Sequence, residues 1–94
     1  MATAFWGGKV LAESSATVVV EGNRYFPRGS VKQEFLKPSN HTTVCPWKGT
    51  ARYFHVAVDG MQNENAAWYY PAPKAAAAEI KDCIAFWKGV HVEG

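Results

Sequence analysis

An Asp59-Gly60 pair set between two β-prone runs, residues 50–58 and 61–70, constrains this chain more than any other feature. That dipeptide favours the two-residue turn joining antiparallel strands. With Val58 facing Met61, pairing runs outward and alternate side chains share a face. One face carries Phe54, Val56, Val58 and Met61 opposed by Asn63 and Asn65, and reads as core. The other carries Tyr53, His55, Glu64, Ala66 and Trp68, with His55 opposite Glu64 and Trp68 opposite Ala51. It suits either solvent or a ligand cleft. A slip of one residue would exchange the faces.

The flanking segments extend the β pattern. Gly7-Gly8 predicts a tight hairpin between residues 2–6 and 9–13, and Gly22-Asn23 turns 16–21 into 24–26. Ser30 opens a short helical turn over 31–36, with Gln33 placed as in a capping box and Pro38 ending it. Residues 41–49 read as an irregular loop. After Pro71 and Pro73, residues Ala76, Ile80, Cys83, Ile84 and Trp87 follow helical spacing. Lys74, Ala78, Lys81, Asp82 and Ala85 fall on the opposite side, and Gly89 supplies a stop. Cys83 is then a small buried hydrophobe. A short strand at 90–92 closes the sheet. The expected fold is mainly β, with two small antiparallel sheets, one C-terminal helix and a short helical turn, in one domain over residues 1–94.

Composition narrows the function classes. A hydrophobic content of 48% with 14% aromatic argues against disorder and for a core or cleft built from rings. A net charge of +2, with Lys and Arg scattered, gives no footprint for nucleic acid. No window approaches the roughly 20 apolar residues of a membrane span. The N-terminus lacks the charged start and apolar stretch of a secretion signal, so an intracellular, cytoplasmic protein is expected. The Asn40-His41-Thr42 sequon is discounted on that ground. Cys45 and Cys83 form no Cys-x-x-Cys pair, which removes a zinc ribbon, and a reducing compartment disfavours a disulfide. Neither a metal site nor a cofactor is expected.

The segment from His41 through Gly49, His-Thr-Thr-Val-Cys-Pro-Trp-Lys-Gly, gathers an imidazole, hydroxyls, a thiol, an indole and an ammonium. Loops on rigid scaffolds are where chemistry is usually placed. Each residue also has a plain structural use. Trp47 can plug the core, Cys45 can support the turn at Pro46, and His41, Thr42 and Thr43 can brace their own backbone. Lys48 can be simply an exposed, solvated lysine, or beside a ring can serve as an anion site or a cation–π partner.

These residues carry a resemblance. His41-Thr42-Thr43 with Cys45-Pro46-Trp47-Lys48-Gly49, then Ala51 and Tyr53, then Glu64-Asn65-Ala66 with Trp68, Tyr70-Pro71 and Pro73, resemble the signature of domain-of-unknown-function family 427. The resemblance covers nearly the whole chain, including Tyr25-Phe26-Pro27. It implies a β-tent-like, half-open barrel in which two small sheets lean together with a helix alongside. The β-tent proteins that hold zinc on paired Cys-x-x-Cys knuckles differ from this chain there, so metal binding does not carry over. Some catalogues label the family nucleotidyltransferase-like. Phosphoryl transfer typically needs clustered carboxylates or a glycine-rich phosphate loop, and the acidic residues here are dispersed.

Three function classes follow. In the first, Trp47, Tyr53, Trp68 and Tyr70 wall a cleft for an unidentified small molecule, with His41, Thr43, Cys45, Lys48 and Glu64 as its polar groups. Lys48 would favour an anionic or carbonyl-bearing ligand, whereas rings with Glu64 would favour a cation. In the second, an enzyme uses Cys45 with His41, or Lys48 with Glu64. The third is a protein-interaction module or homodimer pairing through the first or last strand as a sheet edge.

Overall fold

The computed structural model describes residues 1–94 as nine strands in three antiparallel sheets. The first sheet has the order β2-β1-β9, from β1 (Ala2–Trp6), β2 (Lys9–Ser14) and β9 (His91–Glu93). The second is the hairpin of β3 (Val18–Val20) and β4 (Asn23–Tyr25). The third runs β5-β6-β7-β8, from β5 (Leu36–Cys45), β6 (Gly49–Val58), β7 (Met61–Tyr69) and β8 (Ile84–Phe86). A mainly β fold is therefore correct, but the two expected sheets are three, and none closes into a barrel. No helix is long and apolar enough to cross a membrane.

The Asp59-Gly60 turn forms, with φ of +48° and +81° at its two residues. Val58 faces Met61 and Val56 faces Asn63 as expected, but Phe54 then faces Ala67. Two residues on β6 thus span four on β7, so β7 bulges by two around Glu64 and Asn65. An even insertion keeps the alternation of faces. Tyr53 and Trp68 still share a side, now directly opposite each other, while Glu64 no longer faces His55. The bulge is stitched from several strands. The Asn65 backbone N–H donates to His55 Nδ1 at 3.0 Å, and Trp87 Nε1 donates to the Asn65 carbonyl at 2.6 Å.

Four expectations need correction. Residues 36–45 form a ten-residue edge strand, so only Pro46, Trp47 and Lys48 are left as a turn, and Pro38 is tolerated on the outer edge. In place of a helical turn over 31–36 there are 3₁₀ turns at Arg28–Ser30 and Gln33–Phe35, and Val31 between them bridges Ala12. Gln33 Nε2 donates to the carbonyls of Arg28 and Val31, so no capping box forms. The C-terminal helix is absent. Ala75–Ile80 is a 3₁₀ stretch kinked at Ala77, and Ile84–Phe86 is a strand whose three residues are all buried. Lastly, β1 sits at the centre of its sheet, so of the two strands expected as edges only β9 is one.

The helix failed for a physical reason. Isolated short helices are marginal, and tertiary burial overrides propensity. A helix would expose Ala85 and bury Ala76, whereas here Ala85 is fully buried and Ala76 exposed. The strand β8 is covered on both faces. Ile84 and Phe86 join the main core with Leu11, Phe26, Val56 and Val58. Ala85 joins a second core with Tyr25, Ala51, Tyr70, Ala77 and Ile80. Gly89, expected as a helix stop, is instead the second residue of a tight turn, with Val90 N–H returning to the Trp87 carbonyl.

Candidate functional site

The second core lies on the face of the four-stranded sheet that carries Thr43, Cys45, Ala51, Tyr53, Trp68 and Tyr70. The β3–β4 hairpin lies over this face. Its Tyr25 is fully buried, stands edge-on to Trp68 at 6.2 Å and accepts a hydrogen bond from Trp68 Nε1 at 3.2 Å. Tyr25 therefore occupies the middle of the expected aromatic cleft. Tyr53 and Trp68 are half-buried packing residues around it.

Lys48 sits at one end of this face. It is 7% exposed and is the one buried residue of charged or polar type. Its ammonium lies 5.4 Å from the Trp47 ring centroid and 5.6 Å from that of Tyr70, within the range of cation–π attraction. Lys48 Nζ donates to Glu21 Oε1 at 2.5 Å. Burial alone would push the ammonium's pKa down. The hydrogen bond it donates to Glu21, with Tyr25 and Tyr70 acting in the same sense, instead raises it above the ordinary lysine value. Glu21 is lowered, chiefly by that same hydrogen bond, with burial opposing and the Lys48 charge and Trp47 indole assisting. Burial raises the Tyr70 phenol, and Lys48 offsets part of the rise.

The turn that presents Lys48 is built by its neighbours. Gly49 has φ of +114°, and a side chain there would meet the Ala72 carbonyl at 3.4 Å and Pro73 Cα at 3.6 Å. Those are ordinary contacts, so it is the positive φ, which side-chain-bearing residues rarely adopt, that calls for glycine here. Lys74 N–H donates to the Lys48 carbonyl at 2.9 Å, and Lys74 Nζ to the Pro46 carbonyl at 2.6 Å. Glu21 is presented differently. It occupies the first position of the β3–β4 turn with φ of +52°, one residue earlier than Gly22-Asn23 predicts. A left-handed glutamate costs about 1–3 kcal/mol of backbone strain unless its surroundings hold it.

The structure thus brings together Trp47, Lys48 and Tyr70, with Cys45 half-buried on the second core beside them. It sets the others apart. Thr43 and His41 form a separate group around Tyr53, with Thr43 Oγ1 3.0 Å from Tyr53 OH and the His41 ring 4.7 Å from the Tyr53 ring. His41 lies four strand positions from Cys45, about 13 Å at full extension, too far for direct proton transfer. Glu64 is exposed on the β7 bulge, where its carbonyl accepts from Lys88 Nζ, and the carboxylate partner of Lys48 is Glu21. Two residues of the centre, Glu21 and Tyr25, were missed by sequence reasoning. Their signal was weak: the three-residue strands of a short hairpin give no hint of which partner they cover.

The family match decides the lineage. Residues 2–94 match the family described as Domain of unknown function (DUF427), which also carries a nucleotidyltransferase label. The chain belongs to that family. No curated protein matches the chain. Within this DUF427 domain no three His, Cys, Asp or Glu side chains converge as a metal-ligand group. What converges instead is the lysine, its glutamate and the rings around them.

Proposed function

We propose that this DUF427 domain binds a small anionic molecule, a carboxylate or phosphate ester, at the Lys48 centre. The observation that carries the reading is the mismatch between the two halves of the ion pair. The ammonium is almost wholly buried between Trp47 and Tyr70, whereas the side chain of its counter-anion is 53% exposed, on a strained hairpin tip. Glu21 is thus a tethered anion that a ligand anion can replace, and Trp47, at 39% exposure, offers a ring for the ligand's apolar part.

Binding is favoured over catalysis by the same geometry. The raised pKa keeps Lys48 protonated, which suits charge complementarity and not a role as nucleophile or general base. We also read the three- and four-stranded sheets as the leaning pair of a β-tent. Its support is one core supplied by Ala4 and Leu11 from the first and Val56 and Ile84 from the second.

A thermal-shift screen of carboxylates and phosphate esters tests the reading, run on the native chain, Glu21→Gln and Lys48→Met. A ligand bound only by the folded chain adds about 2.7 kcal/mol at a hundredfold excess over its Kd. Removing the tethered anion should strengthen binding, and removing the ammonium should abolish it. Anions that stabilise native chain and Lys48→Met equally would overturn the proposal.

A further inference from the structure

The β3–β4 hairpin has a second face, turned away from Lys48. Val18, Val20 and Tyr25 pack on the second core, while Val19 and Arg24, paired across the hairpin, point the other way. There they wall the surface cavity of this chain, with a volume of about 270 Å³. Phe86, Val92 and Val19 supply its apolar lining, and Asn23, Arg24 and Glu93 its polar groups.

The charges in this cavity are arranged unusually. Arg24 donates from Nη1 to Thr17 Oγ1 at 2.8 Å and from Nη2 to the Gly94 carbonyl at 2.7 Å. A guanidinium has five N–H donors, so three remain. Glu93 meets only the exposed His91, at 3.2 Å. The cation and the anion line the same hollow but make no ion pair with each other. Opposite charges left apart over an apolar floor match a molecule that carries both.

We propose that this cavity binds a small zwitterion with an apolar body, the chemistry of a hydrophobic α-amino acid. The carboxylate meets the free N–H edge of Arg24 as a charge-assisted pair. The ammonium meets Glu93, and the side chain lies over Phe86 and between the two valines. The volume falls just under the roughly 300 Å³ at which drug-sized pockets begin, so it suits an amino acid and not a nucleotide.

The test is a titration of the full chain with leucine and phenylalanine, followed by backbone amide NMR, beside 3-phenylpropionate and phenethylamine, which lack the ammonium and carboxylate respectively. Saturable shifts centred on β3, β4, β8 and β9 are expected for the zwitterions. Each analogue should bind at least about tenfold more weakly, the loss that follows from one charge-assisted hydrogen bond. Arg24 also braces Thr17, so Arg24→Gln is paired with Glu93→Gln, whose side chain is exposed and touches only the exposed His91. Glu93→Gln should erase the preference for phenylalanine over 3-phenylpropionate. No saturable shift, or equal binding of zwitterion and both analogues, overturns the site.

Discussion

The Lys48 ammonium meets the Glu21 carboxylate at 2.5 Å across two different sheets, the lysine in the turn after β5 and the glutamate at the tip of β3–β4. This contact pins the small hairpin over the face of the large sheet. It also supports the left-handed backbone of Glu21. Breaking it from either side should have unequal effects. Glu21→Gln leaves a buried ammonium without its counter-charge, the costlier way to break such a pair, whereas Lys48→Met leaves only a solvated carboxylate and an apolar chain of similar length. Thermal unfolding should therefore show a larger fall in Tm for Glu21→Gln than for Lys48→Met. The reverse order would mean that the ammonium draws its stability from the rings alone.

The same pair sets the pH dependence. Glu21 has a lowered pKa, so its contribution is present above the unfolded value and lost as pH falls through the folded one, below the ordinary carboxylate range. Lys48 has a raised pKa, so its contribution is present below the unfolded value and lost as pH rises through the folded one, above the ordinary lysine range. Stability from this contact should be flat between those limits. Urea unfolding across pH should show a shallower acid limb in Glu21→Gln than in the native chain. Identical acid limbs would place the acid sensitivity elsewhere.

Cys83 should be a slow thiol at neutral pH. Burial, with Asp82 adding to it, raises Cys83 above the ordinary thiol value, so little thiolate exists near neutral pH. Alkylation of the Cys45→Ala variant, which leaves Cys83 as its one thiol, should be slow at neutral pH and accelerate steeply under alkaline conditions. Rapid neutral labelling would show that Cys83 is activated and reopen a chemical role for it.

The β7 bulge makes a stability prediction. Asn65 holds φ of +55°, and its side chain meets Ser39 Oγ at 2.5 Å. Asn65→Ala loses that bond and meets the left-handed strain, a cost of about 1–3 kcal/mol. Asn65→Gly loses the bond but tolerates the backbone. Denaturant titration should rank the native chain above Asn65→Gly and Asn65→Gly above Asn65→Ala. Equal losses would show that the bulge is held by Trp87 and His55 without help from its backbone conformation.

Much of the β framework was legible in the sequence because turn chemistry is local. Asp59-Gly60 and Gly7-Gly8 set their hairpins, since residues tolerant of positive φ announce themselves. Glu21 broke that logic, taking a left-handed position that glutamate does not favour on its own; the lysine that supports it lies 27 residues away. The β7 bulge was equally hidden, because the partners that stabilise it come from three other strands or their ends: Ser39, His55 and Trp87. The site was legible to the extent that its residues were contiguous. Trp47 and Lys48 could be read together, but Tyr25 and Glu21 arrive on a hairpin whose docking no local pattern encodes.

Ala85 separates the two ways of folding residues 75–87. In a helix built on the Ala76, Ile80, Cys83, Ile84 and Trp87 stripe, position 85 faces solvent, and Ala85→Lys would be neutral there by helix propensity. In the observed strand, Ala85 faces Trp68 in register and is fully buried against Tyr25 and Ile80. A lysine there would force a charge and a long chain into a packed core, at a cost of several kcal/mol. Ile84→Ala is the companion change. It leaves a cavity in the main core and should cost about 2–5 kcal/mol, but both arrangements bury Ile84, so it cannot tell them apart. Circular dichroism and urea unfolding of Ala85→Lys give the decision. Loss of cooperative folding confirms β8 as a strand buried on both faces, and a native-like transition would restore the helix.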